Sequence, residues 1–255
     1  MYITLDTKLT HKCAEILCIM SNKLKQFSSI LFTFGIYYLF IGWKMSLVLV
    51  IGIAFHEQCH LWAAKLMKLK TNNFLMIPFV GGMAFVGGPY KSYAQQAFVV
   101  LGGPMGGAVS AFIMYAAFLL TGVPFLAAAT FILCILNLGN LAPLSVLDGG
   151  QLMNSITYSF NRKVGFYLQA ASTIIAVILL MCINPILGVF VGFIGFSPLY
   201  TEYNNQKNFA NNPELCSNDY LYPPVSMNKN QVILTITGWI ITILSLTYLW
   251  HCLPI

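Results

Sequence analysis

The sequence His56-Glu57-Gln58-Cys59-His60 lies inside an apolar stretch that is long enough to cross a lipid bilayer. An ionisable side chain in hydrocarbon is costly unless it is paired or has a function. The chain has only four histidines and seven acidic residues, and two of the histidines and one of the acids fall in these five positions. On a helix, this spacing places both imidazoles one turn apart on the same face, an arrangement that binds Zn²⁺. The pattern therefore predicts a zinc site within a membrane span.

Composition indicates an all-α polytopic membrane protein with about six transmembrane helices. Hydrophobic residues make up 58% of the 255 residues and charged residues 8%, with a mean hydropathy of +0.76. A soluble domain is about a quarter charged, so little of this chain remains for a soluble catalytic domain. The net charge of +6 is spread along the sequence, which favours membrane topology over a nucleic-acid partner. Seven cysteines without a Cys-x-x-Cys pair argue against a disulfide framework and against a cysteine zinc cage.

The apolar segments predict where the chain crosses the bilayer. The fifth segment is too long for one straight crossing, and Asn184-Pro185 in its middle predicts either a kinked helix or a span followed by a re-entrant piece. Lysine and arginine collect on one side if the first four spans alternate, which places the N-terminus and the 65–93 segment in the cytoplasm. The predicted spans are approximately 29–43, 45–64, 95–120, 124–143, 165–196 and 231–252.

A short non-helical element is predicted between the second and third helices. Apolar residues from Phe74 to Tyr90 flank the pair Gly81-Gly82, which is typical of a tight turn, and Gly87-Gly88-Pro89 ends the second arm. These features predict a membrane-associated β-hairpin. Its backbone groups have to lie against protein or at the membrane interface, because unpaired backbone groups do not face lipid.

A catalytic zinc needs a third protein ligand besides His56 and His60. Asp148 alone among the later candidates closes an apolar span, and the second and fourth spans run in the same direction, which brings it to a similar depth as the histidines. Pro143 and Gly149 have structural roles in this prediction, since they would let the chain unwind and turn before and after the carboxylate. The acids and histidine available after His60 are Asp148, Glu202, Glu214, Asp219 and His251.

The two motifs together resemble the site-2 protease family of intramembrane zinc metalloproteases. That family pairs His-Glu-x-x-His in one span with Asn-x-x-Pro-x-x-x-Leu-Asp-Gly in a later one. The resemblance covers residues of about 45–160, and the chain is similar to a minimal member without a PDZ or nucleotide-sensing domain. It departs from the family at Gly103-Pro104, where the asparagine that often follows three residues later is missing. The residues that match are His56, Glu57 and His60, followed by Asn140, Pro143, Leu147, Asp148 and Gly149.

The resemblance implies a zinc metalloendopeptidase that cleaves within or near transmembrane segments. One Zn²⁺ per chain would be held by His56, His60 and Asp148, with Glu57 as the general base. Asn140 and the hairpin glycines Gly81 and Gly82 would contact the substrate or its transition state, and the hairpin edge would pair with the unwound substrate. The expected partners are a transmembrane protein or remnant signal-peptide substrate, the lipid bilayer and an unidentified regulatory membrane partner, and no nucleic acid.

Localisation and domain organisation follow from these expectations. The chain is expected to be a multi-pass protein of a prokaryotic cytoplasmic membrane, with its N-terminus and the mouth of the active site on the cytoplasmic side. The expected parts are a cytoplasmic N-terminal segment 1–28, a transmembrane protease domain 29–197, a polar loop 198–230 and a C-terminal transmembrane helix 231–255.

Three alternatives stand beside the protease. One is a membrane metal or ion transporter, and another is a catalytically silent pseudoprotease that serves as a scaffold. The third is the integral-membrane peptidase family that processes prenylated C-termini, which takes a glutamate as third ligand. In this chain Glu202 or Glu214 would have to supply it, and both lie in the polar region after the fifth span.

Overall fold

The computed structural model describes residues 7–79, 81–87, 90–211 and 224–254, and their side chains except those of 7–21, 187 and 208–211. Within these ranges the predicted helical architecture with one hairpin is confirmed, in the form of seven helices and a two-stranded antiparallel sheet. In chain order the elements are α1 (Thr7–Leu66), β1 (Lys70–Ile77), β2 (Gly81–Gly87), α2 (Tyr93–Thr121), α3 (Pro124–Asn140), α4 (Asp148–Phe160), α5 (Arg162–Ile183), α6 (Pro185–Asn211) and α7 (Lys229–His251).

The first two predicted spans, 29–43 and 45–64, both lie in α1. Gly42 interrupts this helix with φ 72° and ψ 167°, a backbone conformation that only glycine adopts easily. The Ser46 hydroxyl donates a hydrogen bond to the Gly42 carbonyl oxygen at 2.7 Å and so pairs a group that the interruption exposes. The break therefore falls within two residues of the predicted boundary at Lys44, although the helix resumes without an intervening loop.

The predicted number of six membrane-spanning helices is not confirmed. Among the described residues, four helices are long and apolar enough to cross a bilayer. The predicted fourth span corresponds to α3, which is apolar but has only 17 residues. The four candidate spans are Asn22–Leu66, Tyr93–Thr121, Arg162–Ile183 and Lys229–His251.

The long fifth segment folds into two antiparallel helices, α5 and α6. Asn184 ends α5 and Pro185 begins α6, since proline fits the first turn of a helix. Gly188 then faces Met181, and Gly195 faces Thr173, so the two helices pack closely along their length. At the far end, the Arg162 guanidinium donates to the Glu202 carboxylate at 2.8 Å. Helix α6 thus returns along α5 instead of continuing away from it.

The predicted polar loop 198–230 is wrong in its first part, because residues 198–211 continue α6 as a helix. The physical reason is local: the ion pair with Arg162 fixes Glu202, and the Gln206 side chain donates to the same carboxylate at 2.9 Å. Residues 212–223 of that loop lie outside the described residues. So do residues 1–6 of the predicted N-terminal segment and residue 255 of the predicted last helix.

The hairpin is confirmed and is anchored on α1. Phe74 pairs with Ala84 and Met76 with Gly82 in antiparallel register. The side chains of Phe74 and Met76 are buried, and the Met76 N–H donates to the Ser29 hydroxyl at 3.2 Å. The turn differs from the prediction, because Gly81 and Gly82 already belong to β2 and the chain reverses after Ile77, through a segment that includes Phe79 at φ 65°. The Tyr37 hydroxyl accepts the Phe79 N–H at 3.0 Å and holds this end of the hairpin to α1.

Helix α2 packs against α1, α3, α4 and α7, and so contacts both helices that carry the candidate metal ligands. Its glycines allow the close approach. A Cβ atom on Gly102 would lie 2.8 Å from the Ala63 Cβ atom, and one on Gly106 would lie 2.2 Å from the Cys59 Sγ atom. These glycines therefore form a close-packing surface between α1 and α2.

Candidate metal centre and active site

The second half of α1 carries the two histidines on one buried face. His56 and His60 are one helical turn apart, and their ring centroids are 4.8 Å from each other. Both side chains are nearly inaccessible to solvent, and their Nε2 atoms lie 3.0 Å apart. The helical spacing read from the sequence therefore becomes a pair of converging imidazoles.

Asp148 reaches these imidazoles from the first residue of α4. Helix α3 ends at Asn140, and a non-helical segment 141–147 separates it from α4. One Asp148 carboxylate oxygen, Oδ2, lies 3.0 Å from the His56 Nε2 atom and 3.4 Å from the His60 Nε2 atom. Within the described residues, these three side chains form the group whose ligand atoms lie within 4.8 Å of one another.

Hydrogen bonds to three later helices hold the 141–147 segment in place. The Trp239 indole N–H donates to the Leu141 carbonyl at 3.3 Å, and the Ser172 hydroxyl donates to the Pro143 carbonyl at 2.7 Å. The Ser145 hydroxyl donates to the Gly195 carbonyl at 2.5 Å. Non-helical backbone inside a membrane protein needs such partners. The segment that presents Asp148 is therefore fixed by α5, α6 and α7.

Gly149 and Gly150 let the start of α4 pack beneath this segment. A Cβ atom on Gly149 would lie 2.1 Å from the Leu141 carbonyl oxygen, and one on Gly150 would lie 1.9 Å from the Leu144 carbonyl oxygen. Neither distance is compatible with a side chain. The structural role predicted for Gly149 has a definite contact here, and Pro143 lies in the non-helical segment as expected.

Hydrogen bonds on the far side of each imidazole direct its Nε2 atom towards Asp148. The Asn137 Nδ2 group donates to the Leu133 carbonyl at 2.8 Å, which leaves the Asn137 Oδ1 atom to accept from the His56 Nδ1–H at 2.8 Å. The His60 Nδ1–H donates to the Val99 carbonyl at 2.9 Å. A neutral imidazole with its proton on Nδ1 has a lone pair on Nε2. Both lone pairs consequently face the carboxylate oxygen.

This donor set fits a zinc ion. Two Nε2 lone pairs and a carboxylate oxygen, 3.0–3.4 Å from one another, would repel without a cation between them. Tetrahedral zinc with ligand bonds of about 2.0 Å keeps its ligands about 3.3 Å apart, close to these separations. The tethering of each Nδ1–H to an oxygen acceptor is the arrangement that commonly supports metal-bound histidine.

Glu57 lies beside this group and is not part of it. Its side chain is 6% exposed and packs directly on β2, where a Cβ atom on Gly82 would lie 2.2–2.4 Å from the Glu57 side chain. Glycine at position 82 is therefore required for the carboxylate to occupy this place. Gly81, the other predicted hairpin residue, has open space around it and does not line the cavity described next.

A cavity of about 580 Å³ opens on the candidate metal-binding group, and Asn140 lines it. Tyr90 also lines it, and burial raises the pKa of the Tyr90 phenol to about 12, with a further contribution from the Asp148 charge. This phenol therefore stays protonated at neutral pH. Other lining residues are Met83, Ala84 and Val86 of β2, Val99 and Val100 of α2, Gln151 and Asn154 of α4, Gln169 of α5, and Ser197, Thr201, Glu202 and Asn205 of α6.

The structure separates the candidate third ligands. Asp148 joins the histidines, whereas Glu202 is bound to Arg162 at the far end of the cavity and does not belong to the ligand group. Glu214 lies outside the described residues. Asn137 is the residue that the sequence reasoning missed. Its signal in the sequence is a polar side chain inside the apolar segment 124–143, one helical turn before Asn140.

The fold and the site together define a helical protein with membrane-length apolar helices and a candidate metal site whose residues lie on two separate elements. Residues 44–126, about a third of the chain, match the sequence model of peptidase family M50. This match supports the resemblance to the site-2 protease family that the two motifs indicate. The matched segment includes His56, Glu57 and His60 and ends before Asp148. A search of curated proteins found no match.

The match to family M50 indicates a metallopeptidase, and the four apolar helices among the described residues indicate an integral membrane protein.

Proposed function

We propose that this protein is an intramembrane zinc metalloendopeptidase that cleaves peptide bonds within or near transmembrane segments. The observation that carries the proposal is the convergence of the His56 and His60 Nε2 atoms with the Asp148 Oδ2 atom, beside the buried carboxylate of Glu57. When bound, zinc would polarise the scissile carbonyl and lower the pKa of the attacking water. Its ligands would be His56, His60 and Asp148, with one ion per chain.

The other site residues supply proton transfer and substrate contacts. Glu57 takes the proton from the attacking water and passes it to the leaving amine, which its position next to His56 and its burial favour. The Asn140 carboxamide lines the cavity and forms no hydrogen bond with the other described residues, so it is free to bind the substrate carbonyl. Pro143 and Gly149 shape the segment that presents Asp148.

The substrates that we propose are single-span membrane proteins or remnant signal peptides. The chain has too few polar residues for a separate substrate-binding domain, so the substrate would reach the cavity from the bilayer. We propose a prokaryotic membrane, and the distribution of lysine and arginine favours an N-terminus and an active-site mouth on its cytoplasmic side. We also propose that an unidentified membrane protein regulates this activity.

The hairpin would hold the unwound substrate by strand addition. Strand β2 lines the cavity through Gly82, Met83 and Ala84, next to Glu57, and β1 pairs with its other edge. We expect Met83→Pro to lower cleavage at least about tenfold, because proline removes a ladder donor and distorts the strand. Zinc content should stay at one per chain. Cleavage at the rate of the matched variant Met83→Leu would argue against strand addition.

Zinc removal and reloading test the proposed function. The purified protein, reconstituted in liposomes with a panel of single-span proteins, should contain one zinc per chain and release a shortened fragment. A chelator should abolish the fragment and added Zn²⁺ should restore it, as measured by mass spectrometry of both metal and fragment. Zinc uptake into the liposomes without any fragment would favour the transporter, and bound zinc without either activity would favour the pseudoprotease scaffold.

A further inference from the structure

The cavity has two chemically different walls. The wall formed by β2 and α2 is apolar and contributes Met83, Val86 and Val99. The opposite wall is polar and runs between α4 and α6, and it is called the α4–α6 groove here. Its polar residues are Gln151 and Asn154 of α4 and Ser197, Thr201 and Asn205 of α6.

Asp148, Gln151 and Asn154 follow one another at intervals of three residues along α4, and all three line the cavity. Residues three apart on a helix are neighbours on its surface. At 1.5 Å per residue the row extends about 9 Å from the metal-binding carboxylate. That distance corresponds to about three residues of an extended peptide. The groove therefore has the length and direction to accept the chain next to a scissile bond.

The carboxamides of Gln151 and Asn154 are not used by the fold. Neither side chain forms a hydrogen bond with another described residue, and the Asn154 Oδ1 atom is buried without a partner in that part of the chain. Two other polar residues that line the cavity already have partners. The Gln169 side chain donates to the Gly150 carbonyl at 3.5 Å, and Glu202 is paired with Arg162. Buried polar groups are normally hydrogen-bonded, so the unpartnered Asn154 Oδ1 atom favours a bound ligand, and the Gln151 carboxamide lines the same cavity.

We propose that Gln151 and Asn154 form a main-chain binding subsite for the unwound segment of the substrate in the α4–α6 groove. This inference rests on the proposed function and adds the residues that hold the substrate beyond the metal centre. A carboxamide offers both a donor and an acceptor, which are the two groups of a peptide unit. An unwound segment in a bilayer needs partners for both. The pairing of Glu202 with Arg162 leaves the groove without an unpaired charge among the described residues, which fits a neutral ligand.

A binding experiment tests this subsite separately from catalysis. The zinc-loaded Glu57→Gln protein in detergent is titrated with a fluorescein-labelled decapeptide of alternating alanine and serine, a probe without sequence preference. Gln151→Leu and Asn154→Leu, which keep side-chain volume and remove the amide, should each weaken binding about fivefold, as expected for one lost hydrogen bond. Asn154→Ala repeats the test without added branching. Asn204→Leu, on α6 but outside the cavity lining, should bind within about twofold of the parent.

A second arm identifies the peptide main chain as the bound group. N-methylation of the peptide at successive positions should weaken binding to the parent at one or two positions, and Asn154→Leu should lose that sensitivity, as a double-mutant cycle requires. Unchanged affinity of the Gln151→Leu/Asn154→Leu protein, or loss of its zinc, would overturn the subsite. Glu57-dependent cleavage that persists would then show that the proposed function still stands. If peptide binding is normal but the parent protein, which retains Glu57, cleaves nothing, the proposed protease function is wrong and the subsite still stands.

Discussion

Replacing Glu57 with glutamine should abolish cleavage and leave zinc bound. The Glu57 carboxylate lies outside the ligand group formed by His56, His60 and Asp148, so the amide removes a proton acceptor without removing a ligand. General acid–base catalysis typically contributes about 10²–10⁴-fold, and we expect a loss of at least about 100-fold in cleavage rate. The fragment released from a single-span substrate in proteoliposomes and the zinc content of the same sample are the two measurements.

The neighbouring residue provides the control for this substitution. Gln58 is the next residue of α1, about 100° round the helix from Glu57, and it does not line the cavity. Gln58→Ala should therefore cleave within about threefold of the parent, in line with a surface-type substitution. Cleavage by the Glu57→Gln protein at the parent rate would contradict the proposed protease mechanism and would favour the transporter alternative.

Adding a single methyl group at Gly103 should prevent zinc binding. A Cβ atom at this position of α2 would lie 2.2 Å from the His60 Nε2 atom and 2.7 Å from the His56 Nε2 atom. The rings cannot simply turn away, because Asn137 holds His56 and the Val99 carbonyl holds His60. Loss of supporting contacts alone costs about 10–100-fold in metal affinity, and we expect at least the upper value here, together with loss of cleavage.

Gly139→Ala is the matched control for Gly103→Ala. It lies in α3, and an added Cβ atom there would meet no other atom within 4 Å. Alanine also has a higher helix propensity than glycine, so this variant should fold at least as well as the parent. Zinc affinity is measured by competition with a chromogenic chelator. Stoichiometric zinc with unchanged affinity in the Gly103→Ala protein would mean that the described contact between α1 and α2 is not the one that forms in the membrane.

The central geometry of the site was predictable from the sequence because it depends on regular elements. The four-residue spacing of His56 and His60 determines their common face on any α-helix. The parallel direction of two spans determines the depth of Asp148 relative to them. The hairpin was predictable for the same reason, since few other backbone structures suit two short apolar segments joined by glycines. These inferences needed only helical geometry and the exclusion of charge from lipid.

The contacts that complete the site depend on packing and were not predictable. Nothing in the sequence indicates that the atoms facing Gly103 are the histidine Nε2 atoms. Asn137 could equally have been a polar residue bonded within its own helix. The return of α6 along α5 includes contacts between distant residues: Gly195 faces Thr173, and the ion pair of Arg162 with Glu202 spans 40 residues.

The anchoring of residues 141–147 limits how short a fragment of this chain can be and still form the site. Both signature motifs are complete by residue 149, yet the carbonyls of Leu141 and Pro143 take their partners from Trp239 and Ser172. In a fragment that stopped after the second motif, those carbonyl oxygens would lack hydrogen-bond donors in an apolar environment. The resulting loss of folding free energy is large for a marginally stable fold. The smallest unit that holds Asp148 in this position therefore extends at least to Trp239 in α7.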